Sequence, residues 1–484
     1  MSASQWTADE IRRVGRIVVD LIADHLTSLP ARPAFRPMPA ALAEQLAATP
    51  APADSVSPDE ILRRFKDAIE PFPFGNGHPR FWGWVNSPPA VMGVFAEALA
   101  AAMNPSCAGG NHAAIHLERE VLQWFRDLLR FPAGSMGLLV SGGSMATMTA
   151  LAVARHRNSG VDVRRDGLRA AAAPFAFYMT PEGHSCARKA IELLGFGSAS
   201  IRVLPTLPDY TMDVAAFDAA IAGDRDAGVR PIAVVATAGT TNTGAIDDLR
   251  AVAGVCRRHG VWMHVDAAYG GPAILSDAYG EEIGALAEAD SVALDPHKWM
   301  FVPVEAGLVL VRDGDAMRSA FSLVPPYVRT QGSAGDVYGL PWFSEYGFQQ
   351  TRGFRALKVW MAMQQFGTSG YKAAIEGNIA LARYLADCVA RADDFELMAP
   401  PSLSVVCFRY GQAAAGPNRE EADAALNRAI LERLQLSGEA FITSTELRGR
   451  FVLRACVVNY RSTREDVDRM LGAIRAIGRE LAAT

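Results

Sequence analysis

Short apolar runs alternate with segments of helical periodicity over the middle of the chain, from about residue 90 to residue 310. An apolar run of roughly four to eight residues, bounded by turn-forming residues, is typical of a buried strand. Strands that alternate with helices in this way indicate an α/β domain with a largely parallel sheet. The predicted strands are GLLVSGG, FAFYMT, SIRVLP, PIAVVATA, VWMHVDAA, SVALD and GLVLVRD.

The N-terminal part of the chain has a different pattern. Thr7-Ala-Asp-Glu10 has the form of a capping box, which marks the start of a helix. Apolar residues follow at helical spacing as far as Leu26, so an amphipathic helix is predicted over residues 7–27. Its single apolar stripe needs a surface to cover, either the main body or another subunit. A connection rich in Pro and Ala follows over residues 29–60.

After about residue 350 the pattern changes again. GFRALKVWMAMQQFG predicts a long helix, and LSVVCFRYG and RFVLRACVVNY predict strands of an antiparallel sheet. Helices are predicted beside these strands at about 419–435 and 463–482. The expected organisation is an N-terminal helical extension (1–85), a large domain (86–365) and a small C-terminal α/β domain (366–484).

Composition narrows the class of protein. A chain of 484 residues is too long for one ordinary core, and 50% hydrophobic and 20% charged residues are typical of a globular protein. The net charge of −5 provides no general attraction for nucleic acid or an anionic membrane, and no apolar run is long enough to span a bilayer. The six cysteines are scattered without a CxxC pair, which argues against a disulfide framework or a structural zinc site. The start of the chain lacks the pattern of a signal peptide, so a cytoplasmic protein is expected.

Two predicted strands lead into loops with candidate ligand-binding residues. Ser141-Gly-Gly-Ser-Met-Ala-Thr147 joins a strand to an Ala-rich helix, where small residues let backbone N–H groups approach a phosphate. Turns of this kind also occur for packing alone, and this one is neither a P-loop nor a dinucleotide fingerprint. His184, in TPEGHS, follows the next strand, where its ring either stacks on a planar ligand or belongs to an ordinary loop.

Two further predicted strands end in charged residues. Burial of Asp266, in HVDAAYG, is costly unless its carboxylate meets a cation such as a protonated pyridine nitrogen. The alternatives are a cap for the next helix, or a metal site with His264 that lacks a third ligand nearby in the sequence. Lys298, in LDPHKWM, is either a surface residue or an amine whose pKa is lowered so that it attacks a carbonyl.

Pyridoxal phosphate requires four features of a binding site. They are a cradle for the phosphate, a histidine that stacks on the ring, an acid that pairs with the pyridinium nitrogen, and an amine that reacts with the aldehyde. With these stretches in this order, the sequence resembles the group II family of fold-type-I pyridoxal-phosphate decarboxylases, which act on aromatic amino acids, histidine and glutamate. The resemblance runs from the N-terminal helix to about residue 480. It is carried by HPRFWGWVNSP (78–88), SGGSMATMTAL (141–151), GHS (183–185), ATAGTTNTGAID (236–247), HVDAAYGG (264–271), DPHKWM (295–300) and TRGFRALKVW (351–360).

The resemblance implies an architecture and an assembly. The fold would be the α/β fold of fold-type-I pyridoxal-phosphate enzymes, with a mixed seven-stranded sheet covered by helices on both faces. The N-terminal extension and the small C-terminal domain would be added to it. Family members are homodimers whose sites lie at the interface and whose N-terminal helices wrap across the partner subunit. Neither a metal, a nucleic acid nor a membrane is implied as a partner.

The resemblance also implies roles for individual residues. Lys298 would form a Schiff base with pyridoxal phosphate, and Asp266 would keep the ring nitrogen protonated. His184 would stack on the ring, and Tyr327, in PPY, would be the catalytic-loop tyrosine that protonates the substrate carbon after CO₂ is lost. Phenylalanine at that position marks relatives that make aldehydes. The other implied contacts are Ala268 below the ring, His297 near the phosphate, Gly143 and Ser144 on the phosphate, Thr240 and Asp247 in support of the pocket, and Trp84, Asn86 and Ser87 on the substrate.

Some positions depart from the family's pattern and bear on the substrate. Asp295 stands where aromatic-amino-acid decarboxylases often have asparagine, and Ser106 where phenylalanine is expected. Trp82 and Trp84 favour a flat or apolar substrate side chain, whereas Arg80 is a candidate for binding a side-chain carboxylate.

The expected function is decarboxylation of an L-amino acid to the amine and CO₂, with tryptophan, tyrosine, DOPA or phenylalanine as the substrate. One alternative is a glutamate or aspartate decarboxylase. Another is an aromatic aldehyde synthase or other fold-type-I enzyme, and a third is a cofactor-binding protein without turnover.

Overall fold

The computed structural model describes residues 6–75, 77–323, 342–411 and 419–482. The α-helices within these ranges are numbered in chain order, and 3₁₀ turns are left out. The first eight begin before residue 190. They are α1 (Ala8–Ser28), α2 (Ala40–Ala48), α3 (Pro58–Ala68), α4 (Val91–Met103), α5 (Ala113–Leu128), α6 (Gly143–Asn158), α7 (Val163–Asp166) and α8 (Ser185–Leu193). The later ones are α9 (Val214–Asp226), α10 (Leu249–His259), α11 (Gly280–Ile283), α12 (Gly314–Phe321), α13 (Arg355–Ala390), α14 (Arg419–Ser437) and α15 (Arg464–Ala482).

All strands predicted for the middle of the chain are present and form one sheet. They are β1 (Met136–Val140), β2 (Phe175–Met179), β3 (Ile201–Val203), β4 (Arg230–Thr237), β5 (Trp262–Asp266), β6 (Ser291–Leu294) and β7 (Gly307–Val311). Their order is β1-β7-β6-β5-β4-β2-β3. Strand β7 is antiparallel to β1 and β6, and the other pairs are parallel. The mixed seven-stranded sheet and the α/β fold class are therefore confirmed.

The strand directions bring distant loops to one edge of the sheet. Because β7 runs against both its neighbours, β1 is parallel to β6, and the carboxyl ends of β1, β2, β4, β5 and β6 all meet at the same edge. Every residue of β5, β6 and β7 is buried, as expected for strands covered on both faces. Ligands of open α/β sheets bind outside the carboxyl ends of the strands, so this edge positions the candidate site.

The chain divides into two compact units. One comprises Ser87–Arg383 and Ala399–Cys407 and contains the seven-stranded sheet. The other comprises Met1–Asn86, Tyr384–Met398 and Phe408–Thr484. It thus joins two segments that the sequence assigned to separate domains, because residues far apart in the chain contact each other: Phe81 forms a bridge with Phe441, and Arg80 an ion pair with Asp466.

The second unit also contains most of a four-stranded sheet in the order β10-β11-β9-β8. Strands β9 (Val405–Tyr410) and β11 (Arg450–Cys456) were predicted, whereas β8 (Phe395–Leu397) and β10 (Thr443–Leu447) were not. The sequence TSTEL of β10 has no apolar run, so its pairing with β11 and not its own pattern makes it a strand.

Local signals set the ends of the predicted helices. The capping box of α1 is confirmed: Glu10 N–H donates to Thr7 Oγ1 at 3.3 Å, and Thr7 N–H donates to Glu10 Oε2 at 2.8 Å. Thr463 and Asp466 exchange the same two bonds at the start of α15. The predicted long helix is α13, which Gly367 interrupts with a φ of 62°. Among the helices described, none combines the length and the hydropathy needed to cross a bilayer.

Candidate active site

The loops at the carboxyl edge of the large sheet enclose a cavity of about 340 Å³. It brings together residues from all four sequence stretches that were singled out for their chemistry. The predicted site residues that line it are Gly143, Ser144, His184, Asp266, Ala268, His297 and Lys298.

The glycine turn after β1 presents the start of α6 to this cavity. Gly142 has a φ of 145°, a conformation that favours glycine, and it packs closely against β7: a Cβ on Gly307 would lie 2.4 Å from its Cα. Gly143 is the first residue of α6. The first N–H groups of a helix have no acceptor within it, and they carry the positive end of the helix dipole. This turn is therefore suited to bind an anion such as a phosphate.

Lys298 lies in the turn after β6 and is paired with a carboxylate. Its Nζ is 3.0 Å from Oδ2 of Asp295, which is 2% exposed. Burial alone would lower the pKa of Lys298, but the Asp295 and Asp266 carboxylates outweigh it and the pKa is raised. The lowered pKa that the sequence offered as one alternative for Lys298 is therefore not found, because Asp266 at the end of β5 and Asp295 in the turn after β6 both act on this amine.

His297 is held by backbone contacts beside the glycine turn. Its Nδ1 donates to the Ala306 carbonyl at 2.7 Å, and its Nε2 is 3.9 Å from Asp295 Oδ2. A Cβ built on Gly142 would lie 3.6 Å from its Cε1, so the imidazole borders the glycine turn, and its place near the cofactor phosphate stays a prediction. Ser87 donates from Oγ to the His297 carbonyl at 3.3 Å, so this predicted substrate contact also supports the loop of His297.

Asp266 and His184 approach each other from β5 and from the start of α8. The Ala268 N–H donates to Asp266 Oδ1 at 3.1 Å, and the Cys186 N–H donates to His184 Nδ1 at 3.3 Å. Nδ1 of His184 is therefore occupied, and Nε2 is the ring nitrogen available to contact another group. Sequence reasoning missed Cys186, because a lone cysteine in the first turn of a helix gives no signal of its neighbours.

A metal site at these residues was weighed from the sequence with His264 as a ligand. His264 instead contacts Ser291 at 3.0 Å and Thr147 at 3.2 Å, and burial lowers its pKa to about 4. Ligand atoms of His184, Cys186 and Asp266 do lie within 4.8 Å of one another. Burial raises the pKa of Cys186 to about 11, so its thiol is neutral near neutral pH.

The loop after β4 reaches the cavity through Thr241 and not through Thr240. Thr240 is 1% exposed, and its hydroxyl bonds that of Thr243 at 2.9 Å. Asp247 accepts hydrogen bonds from the N–H groups of Thr237 and Met212 at 2.8 and 2.7 Å, and burial raises its pKa to about 6. Thr240 and Asp247 thus shape this loop, and a direct contact of Thr240 with the cofactor stays a prediction.

Two predicted site residues belong to the other compact unit, and a third is not among the described residues. Trp84 and Asn86 belong to the other unit, where Trp84 is 43% exposed and stacks on Phe74 at 5.1 Å. Tyr327 lies outside the described residues. The roles of these three residues stay predictions.

Arg80 and Trp82, considered for substrate recognition, have internal partners. Arg80 bonds Asp466 at 3.1 Å and the Glu439 carbonyl at 2.6 Å, and it is 6% exposed. Trp82 is fully buried and donates from Nε1 to Ser462 Oγ at 2.9 Å. Both side chains are therefore part of the core of their unit.

The groups around the cavity fit pyridoxal phosphate. The α6 turn is an anion cradle in which a side chain on Gly143 would collide with Asp295 at 2.9 Å, so the space is kept by glycine. An amine, a carboxylate and an imidazole face the same space. The cofactor requires the amine for its aldehyde, the carboxylate for its ring nitrogen and the imidazole for the face of its ring. Oδ1 of Asp295 is buried with no hydrogen-bond partner among the described residues, which indicates that a ligand group completes this wall.

Comparisons with known proteins agree with this fit. The family model described as the pyridoxal-dependent decarboxylase conserved domain matches residues 39–411. The chain is 32% identical over 482 residues to the aromatic-L-amino-acid decarboxylase of Bacillus atrophaeus, covering 99% of this chain and 97% of that protein. It is 35% identical over 408 residues to the L-2,4-diaminobutyrate decarboxylase of Rhizobium meliloti (strain 1021), covering 84% and 79%.

A solved structure extends the likeness to three dimensions. The crystal structure of Oryza sativa TDC with PLP and tryptamine matches with a TM-score of 0.90 at 29% identity. The match covers 99% of this chain and 100% of that chain.

Proposed function

Because the chain belongs to the pyridoxal-dependent decarboxylase family, we propose that it decarboxylates an aromatic L-amino acid and releases the amine and CO₂. The charge of the cavity wall is the observation that favours an aromatic substrate over an acidic one. Among the described lining residues, Lys298 is the only lysine and there is no arginine. A side-chain carboxylate of glutamate or aspartate would thus enter beside Asp266 and Asp295 without a cation of its own.

The cofactor defines what the protein's residues have to do. When bound, pyridoxal phosphate supplies an aldehyde that attaches amines and a ring that withdraws electrons from the substrate's Cα. The N–H groups of Gly143 and Ser144 would hold the phosphate, and Asp266 would hold the proton of the ring nitrogen. His184 would cover the ring, and Lys298 would attach the cofactor until the substrate's amino group replaces it. These roles account for the glycine turn, the carboxylate, the imidazole and the amine that line one cavity.

The product is proposed to be the amine because residue 327 is a tyrosine. A phenol O–H can deliver a proton to the substrate carbon, and phenylalanine cannot. Tyr327→Phe should therefore lower amine formation and raise aldehyde formation. Unchanged amine output from Tyr327→Phe would show that another group donates this proton.

The test of function is a panel of L-amino acids with the holoenzyme, in which amine, aldehyde and CO₂ are measured separately. Tryptophan, tyrosine, DOPA, phenylalanine, glutamate, aspartate and 2,4-diaminobutyrate belong in the panel. Amine and CO₂ in equal amounts from one or more aromatic substrates is the expected result. Turnover of glutamate, aspartate or diaminobutyrate alone would contradict the aromatic class. Cofactor binding without turnover of any substrate would favour the non-catalytic alternative.

A homodimer is proposed as the working form. No residue of α1 or α3 is buried, and Ile11, Val19 and Ile61 are 57, 47 and 54% exposed, which leaves an apolar surface to be covered. Light scattering of the purified protein should give twice the chain mass of 51.9 kDa. Ile11→Asp should shift the mass toward the monomer, and the neighbouring Arg12→Asp should not. The cytoplasmic location stays a prediction.

A further inference from the structure

Asp295 lies against the helix start that would hold the phosphate. A Cβ built on Gly143, the first residue of α6, would be 2.9 Å from Asp295 Oδ2 and 3.5 Å from its Cγ. A Cβ on Gly142 would be 4.0 Å from Asp295 Oδ1. The carboxylate and a bound phosphate would therefore share the positive end of one helix.

The two oxygens of this carboxylate have different partners. Oδ2 is 3.0 Å from Lys298 Nζ and 3.9 Å from His297 Nε2. Oδ1 is buried and has no hydrogen-bond donor among the described residues. A buried acceptor without a donor destabilises the folded protein, so a ligand that brings an O–H group to Oδ1 is favoured there.

A phosphate monoester can bring such a group, but only in one of its two ionisation states. The monoanion carries a P–O–H that can donate to Oδ1, whereas the dianion carries only acceptors and repels the carboxylate. The second ionisation of a phosphate monoester occurs at a pKa of about 6, so both states are accessible near neutral pH.

We propose that Asp295 makes this site selective for the singly protonated phosphate of the cofactor, whose P–O–H donates a hydrogen bond to Oδ1 of Asp295. Cofactor affinity then falls as pH rises, because the free cofactor must take up a proton to bind. The inference rests on the cofactor of the family and is independent of the substrate class proposed above.

Other titratable groups lie near Asp295, and their effect on the pH dependence must be distinguished from that of the phosphate contact. On the same turn as Asp295, Lys298 and His297 face its carboxylate. Asp266 on β5 and Cys186 on α8 act on Lys298. His184, at the start of α8, lines the same cavity. A ligand without an aldehyde removes the covalent reaction of Lys298, and a ligand without a phosphate removes the contact itself.

The first experiment measures the phosphorus NMR signal of the wild-type holoenzyme between pH 6 and pH 8.5. The proposal expects the bound phosphate to resonate at the position of the monoanion of free pyridoxal phosphate throughout this range. In Asp295→Asn, whose amide donates to the dianion, the signal should lie at the dianion position. A wild-type signal at the dianion position at pH 7 and above would overturn the proposal without reference to any variant.

The second experiment measures the dissociation constant of pyridoxine 5′-phosphate, which has no aldehyde, by titration of the protein after cofactor removal. For the wild type it should rise about tenfold per pH unit above pH 7, as the uptake of one proton per site requires. For Asp295→Asn it should change less than about threefold per unit, and isothermal titration in buffers of different ionisation enthalpy should show the lost proton uptake. Parallel pH profiles for the two proteins would overturn the proposal.

Two controls complete the design. Asp290→Asn changes another aspartate beside β6, which bonds the Met263 N–H at 2.7 Å. It should retain the wild-type pH profile. Pyridoxine without phosphate should bind wild type and Asp295→Asn with the same pH dependence. If no form of the cofactor binds, the proposed function itself fails; if it binds with flat pH dependence, only the role of Asp295 fails.

Discussion

Two stretches of the family signature, HPRFWGWVNSP and DPHKWM, differ in what their polar side chains contact. In the first, the Arg80 guanidinium bonds Asp466 and the Glu439 carbonyl, and the Trp82 indole bonds Ser462. In the second, Lys298 faces a cavity, and Asp295 keeps one oxygen without a donor among the described residues. Polar groups with internal partners stabilise the fold, and those left toward a cavity are available for chemistry.

The aromatic side chains of the first stretch support this distinction. Phe81 stacks on Phe441 with ring centroids 4.6 Å apart and an interplanar angle of 7°. A Cβ on Gly83 would lie 2.8 Å from the same ring, so glycine is needed for this close packing. Much of what makes HPRFWGWVNSP recognisable is therefore a packing requirement of its own unit.

The largest expected effect is on the cavity side of the comparison. Lys298→Ala should lower activity on the order of 10³-fold or more, because the amine that attaches the cofactor is removed. Borohydride treatment followed by mass spectrometry should show the added mass of the cofactor on the wild type and none on the variant. Lys372→Ala removes an exposed lysine paired with Asp277 and should behave as wild type. A reduced cofactor still bound covalently to Lys298→Ala would exclude Lys298 as the attachment site.

The next effect is on stability. Arg80→Met should lower the free energy of unfolding by about 3–5 kcal/mol, because it leaves Asp466 buried without its cation. Urea unfolding measures this, and kcat and KM of the folded protein should stay near wild type. Arg63→Met is the matched control, since its pair with Glu60 is exposed and screened by solvent, and its stability should stay near that of the wild type. A raised KM with unchanged stability would instead place Arg80 at the substrate.

A third prediction concerns the stability of the protein at low pH, to which a buried histidine of each compact unit should contribute. Burial lowers the pKa of His264, on β5 of the large sheet, to about 4, and burial together with Arg80 lowers that of His78 to about 4. A lowered pKa means that the unfolded chain binds the proton first, so stability is lost as pH falls from about 6.5 to about 4. For His264 the loss is at most about 3 kcal/mol.

Urea midpoints measured between pH 4.5 and pH 7.5 check this prediction. His264→Gln and His78→Gln should each flatten the pH dependence, and His116→Gln, which changes an exposed histidine, should not. If only the His264 variant flattened the pH dependence, burial alone would not explain the titration of both histidines.

The smallest expected effect is that of Trp82→Phe. It removes the 2.9 Å bond to Ser462 and should lower the free energy of unfolding by about 1 kcal/mol. Thermal unfolding measures the change, and KM for the substrate should not move. A change in KM larger than that in stability would give Trp82 the pocket role expected from the sequence.

The sequence by itself determined the elements and the chemistry of the loops. Strands such as VWMHVDAA are apolar runs of the right length, and Thr7 and Thr463 start helices through bonds to residues three positions away. These features depend on residues close in the chain, so their pattern is readable without a structure. The order of the glycine turn, His184, Asp266 and Lys298 then indicated the cofactor.

Only the tertiary structure decided which of these residues face the cavity and what they face there. Asp295 reaches the Gly143 turn because β7 lies between β1 and β6 in the sheet, and Arg80 meets Asp466 386 positions away. The choice of Thr241 over Thr240 depends on which way one loop turns. Such contacts follow from strand order and chain reversal, and the periodicity of a single segment contains no information about them.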